Sequence, residues 1–109
     1  MAEIGLPRSF LRPVLIIVLG NGPSHGYELA VRMWEFGLPT VDLAGIYRML
    51  RVLEREDLVA SEWEPSAHGP PRRVHTLTEA GKAAAIDHVA FLREVRSLLD
   101  SALDSVPST

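Results

Sequence analysis

The apolar pattern of this chain changes from a helical period to an extended one and then back to a helical one. Residues 58–64 and 72–77 form the extended part, and the loop between them is rich in Pro, Gly and Ser. Two short extended segments around such a loop predict a β-hairpin. Apolar residues three and four positions apart predict helices on both sides of it. The sequence therefore predicts a mainly α fold with a small β-hairpin.

Three helices are predicted ahead of the hairpin, over 9–19, 24–36 and 42–56, each beginning at a Ser or Asp that can cap it. The first contains Val14–Leu19, which is apolar on all sides. Such a segment is typical of a central core helix, although a buried strand has the same pattern. Turn residues at 20–23 separate the first helix from the second.

The third predicted helix has two different faces. Its apolar stripe consists of Ile46, Met49, Leu50 and Leu53. The opposite side carries Ala44, Tyr47, Arg48, Arg51 and Arg55. A short helix anchored by one stripe can enter a DNA major groove and leave its outer residues to contact bases and phosphates.

A long last helix is predicted from its cap, Thr78, to about Ser105. Its broad apolar stripe contains Ile86, Val89, Leu92, Val95, Leu99, Ala102 and Val106. One small domain cannot cover that much apolar surface, so we expect the stripe to pair with a second copy of itself. The whole pattern predicts a winged helix-turn-helix plus a long C-terminal dimerisation helix. We expect a flexible segment at 1–8, a DNA-binding domain at 9–78 and the dimerisation helix at 79–109.

The net charge of −3 argues at first against DNA binding, but the distribution of charge matters more than its sum. Residues 45–75 hold five Arg and five acidic residues, whereas residues 79–109 hold five acidic residues and three bases. Most of the excess negative charge therefore lies outside the predicted DNA-binding part. Arg72 and Arg73 lie near the hairpin tip, where they can neutralise phosphates or enter a minor groove.

Three motifs occur in the order and at the spacing of PadR-like transcriptional regulators. They are His25–Leu29 in the second helix, Gly45–Leu50 followed by Leu53-Glu54 and Asp57–Val59 in the third helix and its exit, and Gly69–Gly81 in the hairpin and beyond. From about Leu11 to its end, the chain resembles the compact branch of this family, with one C-terminal helix. The resemblance implies a homodimer held by its C-terminal helices. It also implies repression of nearby genes, which a small molecule relieves.

The chain departs from the usual pattern of that family at three sites, one of which is a pair of residues. Ala44-Gly45 stands where Gly-Thr is usual, and His75 replaces an aromatic residue of the wing, which is the β-hairpin. Asp57 stands where the family has Gly at the exit of the third helix. Asp57 must then adopt the left-handed conformation there, which Asp tolerates better than most residues.

The residues predicted to contact double-stranded DNA are Ser24, His25, Tyr27, Ala44, Tyr47, Arg48, Arg51, Arg72 and Arg73. Alternatives stay open for several of them. The Tyr47 ring can instead cover the helix edge as packing, and the two helix arginines can pair with Glu54 or Glu28. Two adjacent arginines on a hairpin flanked by Pro and Gly have little structural use, which favours a DNA role for that pair.

Aromatic residues line an effector pocket in some PadR-like proteins, so the resemblance makes Trp34, Trp63 and Phe91 candidates for binding a small apolar or aromatic effector. Each tryptophan can instead be an ordinary core residue.

Several function classes find no support in the sequence. It contains no Gly-rich phosphate loop, nucleophile motif or zinc-hydrolase spacing, so neither an enzyme nor a cofactor is predicted. Because no two of the four His are i,i+4 apart and Cys is absent, no metal site is predicted. The longest apolar stretch is Val14–Leu19, far short of the roughly 20 residues of a membrane helix. No export signal is recognisable, so we expect a cytoplasmic protein with no membrane contact.

The sequence therefore favours a DNA-binding transcriptional regulator. We expect a homodimeric repressor that binds an inverted-repeat operator and is released by a small-molecule effector. The alternative is a winged-helix module for protein interaction or dimerisation that does not bind DNA, and its main support is the net negative charge.

Overall fold

The computed structural model describes residues 7–37 and 41–107. After a 3₁₀ turn at Arg8–Phe10, the elements are α1 (Leu11–Leu19), β1 (Ser24–His25), α2 (Gly26–Glu35), α3 (Leu43–Arg55), β2 (Val59–Glu64), β3 (Arg72–Leu77) and α4 (Glu79–Asp104). The fold is mainly α with one small antiparallel sheet, as predicted. The predicted N-terminal segment 1–8 lies outside the described residues except for its last two.

Side-chain caps fix the starts of α3 and α4 where the sequence predicts them. Asp42 Oδ1 accepts a hydrogen bond from the Gly45 amide at 2.7 Å. Thr78 Oγ1 accepts one from the Gly81 amide at 3.0 Å and donates to the Asp57 carbonyl at 2.6 Å. Asp57 has a φ of 59°, which confirms the predicted left-handed exit from α3.

The start of the second helix differs from the prediction. The sequence predicts Ser24 as its cap, but Ser24 belongs to β1 and His25 occupies the cap position. β1 pairs with β3, so the predicted two-stranded hairpin belongs to a three-stranded sheet with the order β1-β3-β2. Without β1, the edge of β3 would present unpaired backbone groups beside the core. Pairing these groups stabilises the fold more than a side-chain cap from Ser24 on α2 would.

The core is formed by α1, α2, α3 and the first residue of β2. Its buried members are Leu15, Ile16, Val18, Leu19, Leu29, Ala30, Met33, Ile46, Leu50, Leu53 and Val59. Four of these belong to α1, which is therefore the central core helix that its all-round apolar sequence predicts.

The last helix packs along α1 from outside the core. At the start of α4, Gly81 lies against the residue that precedes β2, because a methyl group there would overlap the carbonyl oxygen of Leu58. Gly81 is the buried residue of α4, and Ala85 packs against the core only in part. None of the described helices is both long enough and apolar enough to cross a membrane.

Candidate nucleic-acid interface

The third helix has the two faces that its sequence predicts. Ile46, Leu50 and Leu53 are buried, while the opposite side is exposed at Ala44, Tyr47, Arg48, Arg51 and Arg55. The predicted alternative, in which Arg48 and Arg51 pair with Glu54 or Glu28, does not occur. Glu54 instead lies 3.5 Å from an Arg73 nitrogen, and Glu28 contacts His25. The outer side of α3 therefore presents a row of arginines without an acidic partner among the described residues.

Tyr47 connects the outer side of α3 to the start of α2. Its ring lies so close to Gly26 that a side chain at Gly26 would overlap it. The ring is nevertheless 37% exposed. The packing alternative is therefore confirmed for Tyr47, and the exposed part of its ring leaves the predicted DNA contact open.

The predicted contacts at the start of α2 separate into buried and exposed residues. Ser24 is only 1% exposed, so its side chain does not lie at the surface. His25 is held by Glu28, whose Oε1 accepts the His25 backbone amide at 3.1 Å and lies 2.6 Å from Nδ1. That backbone hydrogen bond holds the pKa of Glu28 below its ordinary value. Tyr27 is well exposed, so it remains available for contact from this helix.

The two wing arginines point to different surroundings. Arg73 Nε donates to Ser61 Oγ at 2.7 Å, and its guanidinium lies 5.6 Å from the centre of the Trp63 ring. Arg72 is opposite Glu64 in the strand register, yet no acidic group lies within ion-pair distance of it in the described part of the chain. The sequence predicts that two adjacent hairpin arginines have little structural role, and this is wrong for Arg73. It has partners on the neighbouring strand and on α3.

The three predicted effector residues lie on different elements. Trp34 of α2 is half-buried, and its Nε1 donates to the Val41 carbonyl at 2.6 Å. Its ring meets Tyr27 edge to face, with centroids 6.4 Å apart. Trp63 of β2 is 66% exposed, so the core alternative is wrong for it, and Phe91 of α4 is also exposed. The wing loop has an open concavity, but none of the three residues lines it.

His75, which stands where the family has an aromatic residue in the wing, is buried. It lies in the centre of the sheet, opposite Ser24 on one side and Ser61 on the other, and is 3% exposed. Burial lowers the pKa of His75, and the nearby Glu54 carboxylate partly opposes that effect. Strand alternation is the sequence signal that indicates this burial, since His75 and Leu77 are two residues apart and therefore share one face of β3.

The predicted apolar stripe of α4 divides into two parts. Val89, Leu92 and Val95 are half-buried in the part that packs along α1. Ile86, Leu99 and Val106 are exposed, and so are Leu98 and Leu103, which lie outside the predicted stripe. The end of α4 therefore carries an apolar surface that no described residue covers.

A helix bearing exposed arginines beside a three-stranded sheet with a protruding hairpin defines a winged-helix fold. The model of the PadR-like family of transcriptional regulators matches residues 14–86, so the chain belongs to that family. The chain is accordingly a DNA-binding transcriptional regulator and not an enzyme. No curated protein matches the chain.

Solved structures share the fold over most of the chain. A PadR-like transcriptional regulator from Bacillus cereus is 20% identical, with a TM-score of 0.82 over 91% of this chain and 96% of that one. A putative transcriptional regulator from Thermoplasma acidophilum is 29% identical, with a TM-score of 0.73 over 92% and 100%. A PadR family regulator from Clostridium difficile is 22% identical, with a TM-score of 0.72 over 84% and 96%.

Proposed function

We propose that this regulator is a cytoplasmic homodimeric repressor, which binds an inverted-repeat operator and is released by a small apolar or aromatic effector. Residues 9–78 are its DNA-binding domain, and the helix within residues 79–109 joins the two copies. The observation that carries the proposal is the exposed apolar end of α4, together with the arginine row of α3 on the same small chain.

The proposed DNA surface consists of exposed side chains on three elements. They are Tyr27 on α2, Ala44, Tyr47, Arg48 and Arg51 on α3, and Arg72 on the wing. In this arrangement α3 enters the major groove and the wing follows the backbone towards the minor groove. Ser24 and His25 stabilise the start of α2 in this proposal. Ser24 is buried, and His25 contacts Glu28.

The proposed dimer places two copies of the α4 end against each other. Leu99 and Val106 contribute to it directly, together with Leu98 and Leu103, and Ile86 extends the proposed contact towards the start of α4. A two-fold axis lets the same patch cover its own copy, which closes the assembly at two chains. The same axis sets the two α3 helices about 34 Å apart, the spacing of successive major grooves on one face of B-DNA.

The proposed effector site is adjacent to that dimer contact. Of the three candidate aromatic residues, Phe91 is the one carried by the dimerisation helix, and it is partly exposed on one protomer. A second copy packing nearby would turn this exposed ring into the wall of an apolar pocket. Trp34 and Trp63 lie on α2 and β2, so they are weaker candidates for the same pocket.

The experiment that tests the function is selection of binding sites from a pool of random duplexes by the full chain. We expect an inverted repeat whose half-sites are about 10 base pairs apart, centre to centre, or a multiple of that spacing. Enrichment of single half-sites would contradict the dimeric operator. Failure to retain any duplex at low salt would favour the interaction-module alternative, because DNA-binding proteins hold non-specific duplex there through phosphate contacts.

A further inference from the structure

Three polar side chains connect the wing to the end of α3. Glu54 belongs to α3, Ser61 to β2 and Arg73 to β3. The Ser61 hydroxyl donates to Glu54 Oε1 and accepts from Arg73 Nε at 2.7 Å. Arg73 Nη2 lies 3.5 Å from the same Glu54 oxygen. These contacts, the Glu54–Ser61–Arg73 network, join the helix predicted to read DNA to both strands of the wing.

The network is built from partly buried groups. The side chain of Glu54 is 23% exposed and that of Arg73 is 48% exposed. Hydrogen bonds that involve a charged partner are roughly twice as strong as neutral ones, and a serine that both donates and accepts holds its two partners in one geometry. On its open side the Arg73 guanidinium covers the Trp63 ring, its cross-strand partner. Arg73 is therefore committed to contacts within its own chain.

Within the described residues, Arg72 makes none of these contacts. It is exposed, it lies on the other face of β3, and no acid in the described residues pairs with it. A free arginine adds a full positive charge to a DNA surface. An arginine paired with a glutamate adds almost none, so it contributes little to the counterions that phosphate contacts release.

We propose that Arg73 is a positioning residue, which fixes the angle between the wing and α3 through Ser61 and Glu54, while Arg72 carries the wing's charge to the phosphates. This inference rests on the proposed DNA surface. It assigns different roles to two neighbouring residues of the same type, and it makes the acidic Glu54 necessary for tight binding to an acidic polymer.

The test compares Arg72→Ala, Arg73→Ala, Arg73→Lys and Glu54→Gln in the full chain. Each is titrated with random duplex over a salt series and with a duplex recovered by selection. Arg72→Ala should reduce the slope of log K against log salt by about 0.9, the value for one phosphate contact. Arg73→Ala should leave that slope unchanged, but weaken binding to the selected duplex about tenfold, as expected for coupled contacts.

Glu54→Gln gives the sharpest result. If only charge mattered, removal of a negative group beside DNA would strengthen binding. The proposed role predicts weaker binding to the selected duplex, with little change on random duplex. The double variant Arg73→Ala/Glu54→Gln should be no weaker than either single variant, because both remove the same network. Arg73→Lys keeps the charge but loses the Nε donor, so it should resemble Arg73→Ala on the selected duplex.

The outcomes separate this inference from the proposed function. Urea unfolding of each variant shows whether the fold is retained. Binding is also measured for Ser61→Ala, which breaks the network but keeps both charges. If Arg73→Ala lowers the salt slope, Arg73→Lys binds like wild type and Glu54→Gln binds more tightly, Arg73 is a phosphate contact and the positioning role is wrong. If the wild-type chain itself retains no duplex at low salt, the proposed function fails instead.

Discussion

Substitution of Leu99 by Lys tests the dimer with little disturbance of the protomer. Leu99 is 53% exposed on a single chain, so about half of its side chain remains to be covered by a partner. Full burial of a leucine contributes about 1.5–3 kcal/mol, so the uncovered half contributes roughly 0.8–1.6 kcal/mol. By two-fold symmetry the dimer loses this twice, which weakens association roughly 15- to 200-fold.

Sedimentation or light scattering at micromolar protein measures this effect, with operator binding as the second readout. The matched control is Ser97→Lys, which adds the same charge to α4 two residues away and therefore on nearly the opposite side of the helix, among polar neighbours. A point substitution is sharper than deletion of the chain after Ala85. Deletion would also remove Val89 and Leu92, which pack along α1, so we expect a monomer or an insoluble product with little operator binding.

The expectation is that Leu99→Lys is monomeric at a concentration where wild type and Ser97→Lys are dimeric, and that it binds the inverted repeat weakly. A dimeric Leu99→Lys variant with wild-type affinity for DNA would refute the reasoning. The dimer would then be formed elsewhere, most simply through the first helix.

Three further substitutions test the remaining parts of the molecule. Gly81→Ala should lower the free energy of unfolding by about 1–3 kcal/mol, because the added methyl group overlaps the Leu58 carbonyl. Helix propensity alone would instead raise the free energy of unfolding by about 1 kcal/mol, so urea denaturation shows which effect is larger. The wild-type protein should lose stability as pH falls below 6.5, because His75 binds a proton in the unfolded chain but stays neutral when it is buried in the folded one. His75→Phe should remove this pH dependence until the pH is low enough to protonate carboxylates. An equal pH profile in both proteins would exclude His75 as the cause. Arg48→Ala should cost about 1–3 kcal/mol on the selected duplex if Arg48 reads a base, whereas equal loss on random DNA would assign it to phosphate.

Local signals explain why much of the fold was predictable. Asp42 and Thr78 cap their helices through bonds to residues three positions later, so the starts of α3 and α4 are encoded within one turn of sequence. Asp57 takes the left-handed exit that a short polar side chain tolerates. The two faces of α3 follow from period alone, because a single stripe anchors that helix.

Contacts between distant residues explain what was missed. β1 is only two residues long, and it exists because β3, about fifty positions later, offers it an edge. The neighbours of Arg73 in sequence predict a DNA contact, but they do not show its partners within the chain, which are 12 and 19 positions away on β2 and α3. The apolar stripe of α4 follows from the sequence, but its division into a covered and an uncovered part depends on how far α1 extends along it.

The same contacts explain how a chain with net charge −3 can present a positive surface. Within 45–75 the sequence counts five arginines against five acids. The structure pairs Glu54 with Arg73 and draws Glu56 to Arg12 of α1, whose guanidinium donates at 2.7 and 2.9 Å. That contact holds the pKa of Glu56 below its ordinary value, and it pairs this carboxylate with an arginine from outside 45–75. The exposed cations of α3 and Arg72 keep their charge, so the field at the proposed DNA surface is more positive than the composition suggests.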